Sequence, residues 1–218
     1  MKKIILIWFI FNLITAYANS NTILFLGDSL TEGLGVSRED AFPKQVEILI
    51  QTELLKNIMV INGGVSGSTT SDGLARLKWY MKKKPSIVFL ALGTNDGLRG
   101  LDLEESQKNL EEIIKYAQES HAKVLLAGML IPPNYGPEYS EQFKTMYQEI
   151  KVKYKLKSMP FLLDGVAGEK EFNQRDGIHP MKRVINRLQK KFLNLSRKIY
   201  NVSIKITEKI VPSRFTDY

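Results

Sequence analysis

Five short runs rich in Val, Ile, Leu and Phe, at residues 22–26, 58–61, 86–92, 122–130 and 159–163, constrain this chain more than any other feature. They are apolar at consecutive positions, not at every second one. That is the pattern of strands buried on both faces, and such strands belong to parallel sheets covered by helices on either side. The covers are supplied by residues 42–55, 71–81, 103–119, 137–154 and 184–200, whose apolar side chains recur at helical spacing. The predicted fold class is therefore α/β, a three-layer α/β/α sandwich with a five-stranded parallel sheet. With 218 residues, 44% of them apolar, the chain is large enough for one substantial core. No linker, repeat or low-complexity segment divides it, so residues 19–200 read as a single domain.

The first run ends in Gly27-Asp28-Ser29-Leu30, which sets a hydroxyl at the C-terminal edge of a buried strand, where open α/β sheets bind their ligands. Far along the chain, Asp176-Gly-Ile-His179-Pro180 places a carboxylate and an imidazole in one loop. A serine hydroxyl is a weak nucleophile and needs a base. Imidazole, with a pKa of about 6.5, is suited to take the proton and return it. An aspartate bonded to the other ring nitrogen fixes the tautomer and stabilises the imidazolium. Each residue also has a plainer use: Ser29 as a turn cap, Asp176 as a loop cap, His179 as a packed loop residue. The other histidine, His121, lies in a polar Glu-Ser-His-Ala turn with no such partners beside it.

Two further blocks lie between these motifs. Val60-Ile-Asn-Gly-Gly-Val-Ser-Gly67 spans the end of the second run, and Gly93-Thr-Asn95-Asp96 follows the third. Four blocks in this order resemble the GDSL, or SGNH, hydrolase family over about residues 22–180. Gly97-Leu-Arg-Gly100, and Pro133-Asn-Tyr-Gly136 followed by Tyr139 and Phe143, resemble its bacterial thioesterase I, lysophospholipase L1 and arylesterase branch in particular. The resemblance implies sheet order 2-1-3-4-5, with Ser29 as nucleophile, His179 as general base and then acid, and Asp176 as its partner. It also implies an oxyanion hole made of the backbone N–H groups of Ser29 and Gly67 and the side-chain amide of Asn95. Taken alone, Gly67 is an ordinary turn glycine and Asn95 part of an Asn-Asp turn.

By the same resemblance the chain is a serine hydrolase that cleaves carboxylic acyl esters, namely aryl esters, lysophospholipids and acyl thioesters, through an acyl-enzyme and without a cofactor. Residues 98–101 and 132–139 follow the third and fourth runs, and their Leu, Pro and Tyr content suits an acyl chain better than a sugar. Two other functions fit the fold: a carbohydrate acetylesterase, which differs only in its crevice, and a non-catalytic envelope binding protein.

Several classes are disfavoured. No His-x-x-x-His or carboxylate cluster has metal-ligand spacing, and neither Gly-Lys-Ser/Thr nor Gly-x-Gly-x-x-Gly is present to cradle phosphates. The chain has no cysteine, hence no disulfide or thiolate site. The net charge of +8 invites an anionic partner, but residues 1–180 carry 21 basic and 21 acidic side chains, against 10 and 2 in residues 181–218. The basicity belongs to the tail and not to a nucleic-acid-binding face. At the other end, Met1-Lys2-Lys3, apolar residues 4–14 and Ala16-Tyr-Ala18 read as a signal peptide of residues 1–18, too short to span a membrane. An uncleaved anchor is the alternative. The expectation is a periplasmic or secreted bacterial protein without stable membrane insertion, acting on a small acyl ester or lysophospholipid.

After Pro180 the family pattern breaks. It continues Asn-x-x-Gly, whereas here Met181-Lys-Arg-Val-Ile-Asn-Arg follows. One codon choice for that segment, read one nucleotide earlier after an A, gives Asn-Glu-Lys-Gly-His-Gln-Ser and restores the pattern. Residues 181–218 are thus read as out of frame, or as a diverged helix with Val184, Leu188, Phe192, Leu195 and Ile199 on one face, followed by a basic tail at 201–218.

Overall fold

The computed structural model describes residues 22–54 and 58–200; the signal-peptide segment 1–18 and the tail 201–218 lie outside them. Five strands, β1 (Thr22–Gly27), β2 (Met59–Gly64), β3 (Ile87–Ala91), β4 (Lys123–Ala127) and β5 (Lys157–Met159), form one sheet in the order β2-β1-β3-β4-β5, every pair parallel. Among the described residues there are seven α-helices: α1 (Ser29–Glu32), α2 (Phe42–Leu54), α3 (Thr70–Met81), α4 (Thr94–Leu98), α5 (Leu103–Glu119), α6 (Pro137–Lys153) and α7 (Lys182–Tyr200). Helices α2 and α7 pack together on one face of the sheet, and α3, α5 and α6 on the other. The expected sandwich and strand order are both found.

The central strands are apolar throughout because both of their faces are covered. Ile23 to Leu26 and Ile87 to Ala91 are all at most 1% exposed. On the α2/α7 face, Phe25, Phe42, Phe89 and Phe192 form one aromatic cluster with ring centroids 5.1–6.4 Å apart. Fully burying each such ring is worth about 1.5–3 kcal/mol. On the other face, α5 turns Leu110, Ile113, Ile114 and Ala117 inward at helical spacing. Its start is fixed by Asp102, whose carboxylate accepts the otherwise unpaired N–H groups of Glu104 and Glu105.

Two strands stop well before the ends of their apolar runs. The fourth run predicts a strand over 122–130, but β4 stops at Ala127; the fifth predicts 159–163, but β5 is Lys157–Met159. Pro160 explains the second difference, since it has no N–H to give a ladder. There the chain turns, with the Gly128 N–H donating to the Met159 carbonyl and the Leu162 N–H to the Gly128 carbonyl. Leu162, Leu163 and Val166 are nevertheless buried. Their apolarity marks a turn folded into the core, not a strand.

Candidate active site

Strand β1 delivers Ser29 to the C-terminal edge of the sheet and ends there because Asp28 caps a helix. Its Oδ1 accepts the Leu30 N–H at 3.0 Å, and the Asp28 carbonyl takes those of Thr31 and Glu32. Ser29 is the first residue of α1 and is 9% exposed. The loop carrying His179 follows β5 and is closed on itself: Gln174 N–H donates to the His179 carbonyl and Met181 N–H to the Phe172 carbonyl. The Gln174 amide also donates to the Leu34 carbonyl just beyond α1, which fixes this loop against the serine.

The result is a continuous chain of hydrogen bonds. His179 Nε2 lies 2.7 Å from Ser29 Oγ, and His179 Nδ1 lies 2.7 Å from Asp176 Oδ2. The other oxygen of Asp176 accepts the backbone N–H groups of Ile178 and His179 at 2.9 and 3.0 Å. The loop-capping use and the histidine-orienting use of Asp176 are therefore met by the same side chain, one oxygen each. Partial burial pushes its carboxyl up, but those N–H groups and the ring outweigh it, and the net shift is downward. An ionised Asp176 keeps the proton on Nδ1 and leaves Nε2 free to accept from the serine.

Gly67 and Asn95 come to the same edge. Gly67 has φ +78°, in the left-handed region that suits glycine. Neither its N–H nor that of Ser29 meets an acceptor among the described residues. The Asn95 amide donates to the Ser68 carbonyl at 2.8 Å, which leaves its second N–H available. Gly93, at φ +111°, leads into α4, and a Cβ there would lie 2.1 Å from the Tyr147 hydroxyl. That hydroxyl donates to the Leu92 carbonyl at 2.7 Å, so no other residue fits. Gly67 follows β2 and Asn95 follows β3, so both lie at the sheet edge that also carries Ser29.

Sequence reasoning passed over several supporting residues. Asp96, 2% exposed, accepts the N–H and hydroxyl of Thr70 and the hydroxyl of Ser106, tying the Asn95 block to the start of α3. Arg76 donates to the carbonyls of Gly27 and Gly63 and so braces the ends of β1 and β2. Asp28, 1% exposed, has its Oδ2 without a hydrogen-bond partner among the described residues. Burial raises its pKa to about 6 against the local hydrogen bonds and the charge of His179. Of these, only Asp28 and Asp96 had a visible signal, as neighbours of motif residues.

Residues 98–101 and 132–139 are joined to each other. The Tyr135 hydroxyl donates to the Leu98 carbonyl at 2.9 Å and the Tyr139 hydroxyl to the Leu101 carbonyl at 2.8 Å. Leu101 and Tyr135 remain exposed, as do Leu34, Val65 and Ile178 on the loops around Ser29 and His179. Among the described residues, no group of three or more His, Cys, Asp or Glu is placed to hold a metal ion.

An open parallel sheet with serine, histidine and aspartate aligned at its C-terminal edge defines a serine hydrolase that is not built on the Gly-x-Ser-x-Gly elbow. The chain belongs to the GDSL-like lipase/acylhydrolase family, whose sequence profile matches residues 25–183. It is 38% identical to Esterase TesA of Pseudomonas aeruginosa over 169 residues, 77% of this chain and 84% of that one. It is 34% identical to the thioesterase 1/protease 1/lysophospholipase L1 of Escherichia coli K12 over 164 residues, 75% and 77% of the two chains. The crystal structure of the psychrotrophic esterase EstA from Pseudoalteromonas, inhibited by monoethylphosphonate, superposes with a TM-score of 0.79 at 33% identity, over 84% of this chain and all of that one.

Proposed function

We propose that this acyl hydrolase cleaves esters of medium and long acyl chains, aryl esters and lysophospholipids among them, by attack of Ser29. The observation that carries the reading is the unbroken Ser29–His179–Asp176 chain at 2.7 Å per link. His179 takes the serine proton as Oγ adds to the carbonyl carbon. The Ser29 and Gly67 N–H groups and the Asn95 amide meet the oxyanion. Collapse expels the alcohol, or the thiol of a thioester, with the proton returned by His179, and water then repeats the sequence on the acyl-enzyme. No step needs a metal or cofactor. The Leu, Pro and Tyr side chains of residues 98–101 and 132–139 suit an acyl chain better than a sugar, and relatives of the chain are named as an esterase and as a thioesterase and lysophospholipase.

Export to the periplasm or medium is part of this proposal and rests on residues 1–18. Among the described residues no helix is long and apolar enough to cross a membrane. The test is a rate series on p-nitrophenyl acetate, butyrate, octanoate and dodecanoate, and on lysophosphatidylcholine, with and without EDTA. Octanoate is expected to be turned over with kcat/KM at least equal to that of acetate, undiminished by EDTA. A sharp preference for acetate would instead make the enzyme a carbohydrate acetylesterase. No turnover of any ester would leave a binding protein on the same fold.

A further inference from the structure

The loop between β2 and α3 carries Gly67, and the side chains that hold it come from the two helices bearing the other oxyanion donors. Glu32 closes α1, three residues after Ser29; Arg99 ends α4, four residues after Asn95. Glu32 Oε2 accepts the Ser66 N–H at 2.7 Å and also the Ser66 hydroxyl. Arg99 Nη2 donates to the Gly67 carbonyl at 2.9 Å. A peptide plane turns as a unit. The plane carrying the Gly67 N–H is the Ser66–Gly67 peptide; Glu32 pins the plane before it and Arg99 the plane after it.

We propose that Glu32 and Arg99 are positioning residues for the oxyanion hole, aiming the Gly67 N–H by fixing the peptides on either side of it. The proposal rests on the oxyanion-hole reading above. Gly67 needs such restraint because glycine rotates freely at φ and ψ, and a donor is useful only if it is oriented before charge develops. The rest of the loop is held in a matching way. Val65 N–H donates to the Gly27 carbonyl, the Ser68 carbonyl accepts from Asn95, and the Ser68 hydroxyl donates to Asp72. Through Glu32 and Arg99 the three donors become one unit: a shift of α1 or α4 carries the Gly67 peptide with it. Both clamps are solvent-exposed, so neither is there to fill the core.

Steady-state kinetics on p-nitrophenyl octanoate, for the full chain and for Glu32→Ala, Glu32→Gln, Arg99→Ala, Arg99→Lys and Asn95→Ala, test this, with Tm measured for each. Asn95→Ala is expected to lower kcat by about 10²-fold or more. Each clamp-to-alanine variant should lower kcat by about tenfold, less than loss of a donor itself, with KM within about twofold. Glu32→Gln, whose amide oxygen can still accept both Ser66 hydrogens, and Arg99→Lys, which keeps a donor, should recover most of the rate. If Asn95→Ala behaves as expected but the clamp variants keep full kcat, the clamps are dispensable and the proposal fails alone. It also fails alone if those variants lose activity only in step with Tm and without rescue by Gln or Lys. If Asn95→Ala leaves kcat unchanged, the oxyanion-hole reading falls and this proposal falls with it.

Discussion

Asp28 is folded at a cost. The nucleophile must directly follow the strand, and the residue between strand and serine is drawn inside with it, 1% exposed, one carboxylate oxygen on the Leu30 N–H and the other unpaired among the described residues. Burial raises its pKa from 3.8 to about 6. A carboxyl that holds its proton more tightly when folded makes stability fall as pH rises from the unfolded to the folded pKa, here between 3.8 and about 6. At about 1.4 kcal/mol per unit, the native state gives up roughly 3 kcal/mol by pH 7. Asn keeps the cap, since its amide oxygen can still accept from Leu30, and it has no charge to bury. Asp28→Asn is therefore expected to raise Tm at pH 7–8 by about 2–4 °C per kcal/mol recovered. The gain should vanish below about pH 4, where both states of the wild type are protonated. Thermal melts of both proteins at pH 3.5, 5, 6 and 8 check this; a gain that does not depend on pH would locate the effect elsewhere.

Helix α7 lies where the sequence departs from the family pattern, and it docks on the sheet through apolar side chains. It buries Val184, Ile185, Leu188, Phe192 and Leu193, and Phe192 joins the aromatic cluster over β1 and β3. It also buries Gln189, 8% exposed, whose Oε1 has no partner among the described residues, at a cost of about 1–3 kcal/mol. The one-nucleotide shift that restores the family pattern after Pro180 can be carried through to Tyr200. One choice of codons then gives Val-Ala-Glu-Lys-Val-Phe-Glu-Leu-Ile-Lys-Glu-Asn-Leu and a stop codon, which would put an alanine in place of Gln189 and acidic residues among the lysines. Either frame encodes an amphipathic helix, so docking is expected of both; the buried amide is what distinguishes them. We infer that residues 181–218 are out of frame. Resequencing is expected to show a single-nucleotide insertion or deletion near the Pro180 codon, and the corrected chain to be less basic and to melt at a higher temperature. A clean read in the present frame would make α7 a diverged but genuine helix.

At the scale of the whole molecule, burial on both faces made the sheet legible, since it leaves consecutive apolar residues such as Ile23 to Leu26. The short blocks made the site legible because parallel strands carry every block to one edge. Strand order came from resemblance and not from periodicity. Helices of four or five residues, α1 and α4, are too short to show a helical period, yet they carry Ser29 and Asn95. Glu32 and Arg99 were hidden because an exposed charge in a sequence reads as a solvated one. The 159–163 run misled because a core turn and a core strand are equally apolar. The central claim is that Ser29 is the residue that becomes acylated. Intact-mass and peptide-level mass spectrometry after reaction with a fluorophosphonate measures this most directly. A single adduct on Ser29, absent along with ester hydrolysis in Ser29→Ala, is the predicted result; an adduct on another residue, or hydrolysis surviving in Ser29→Ala, would contradict it.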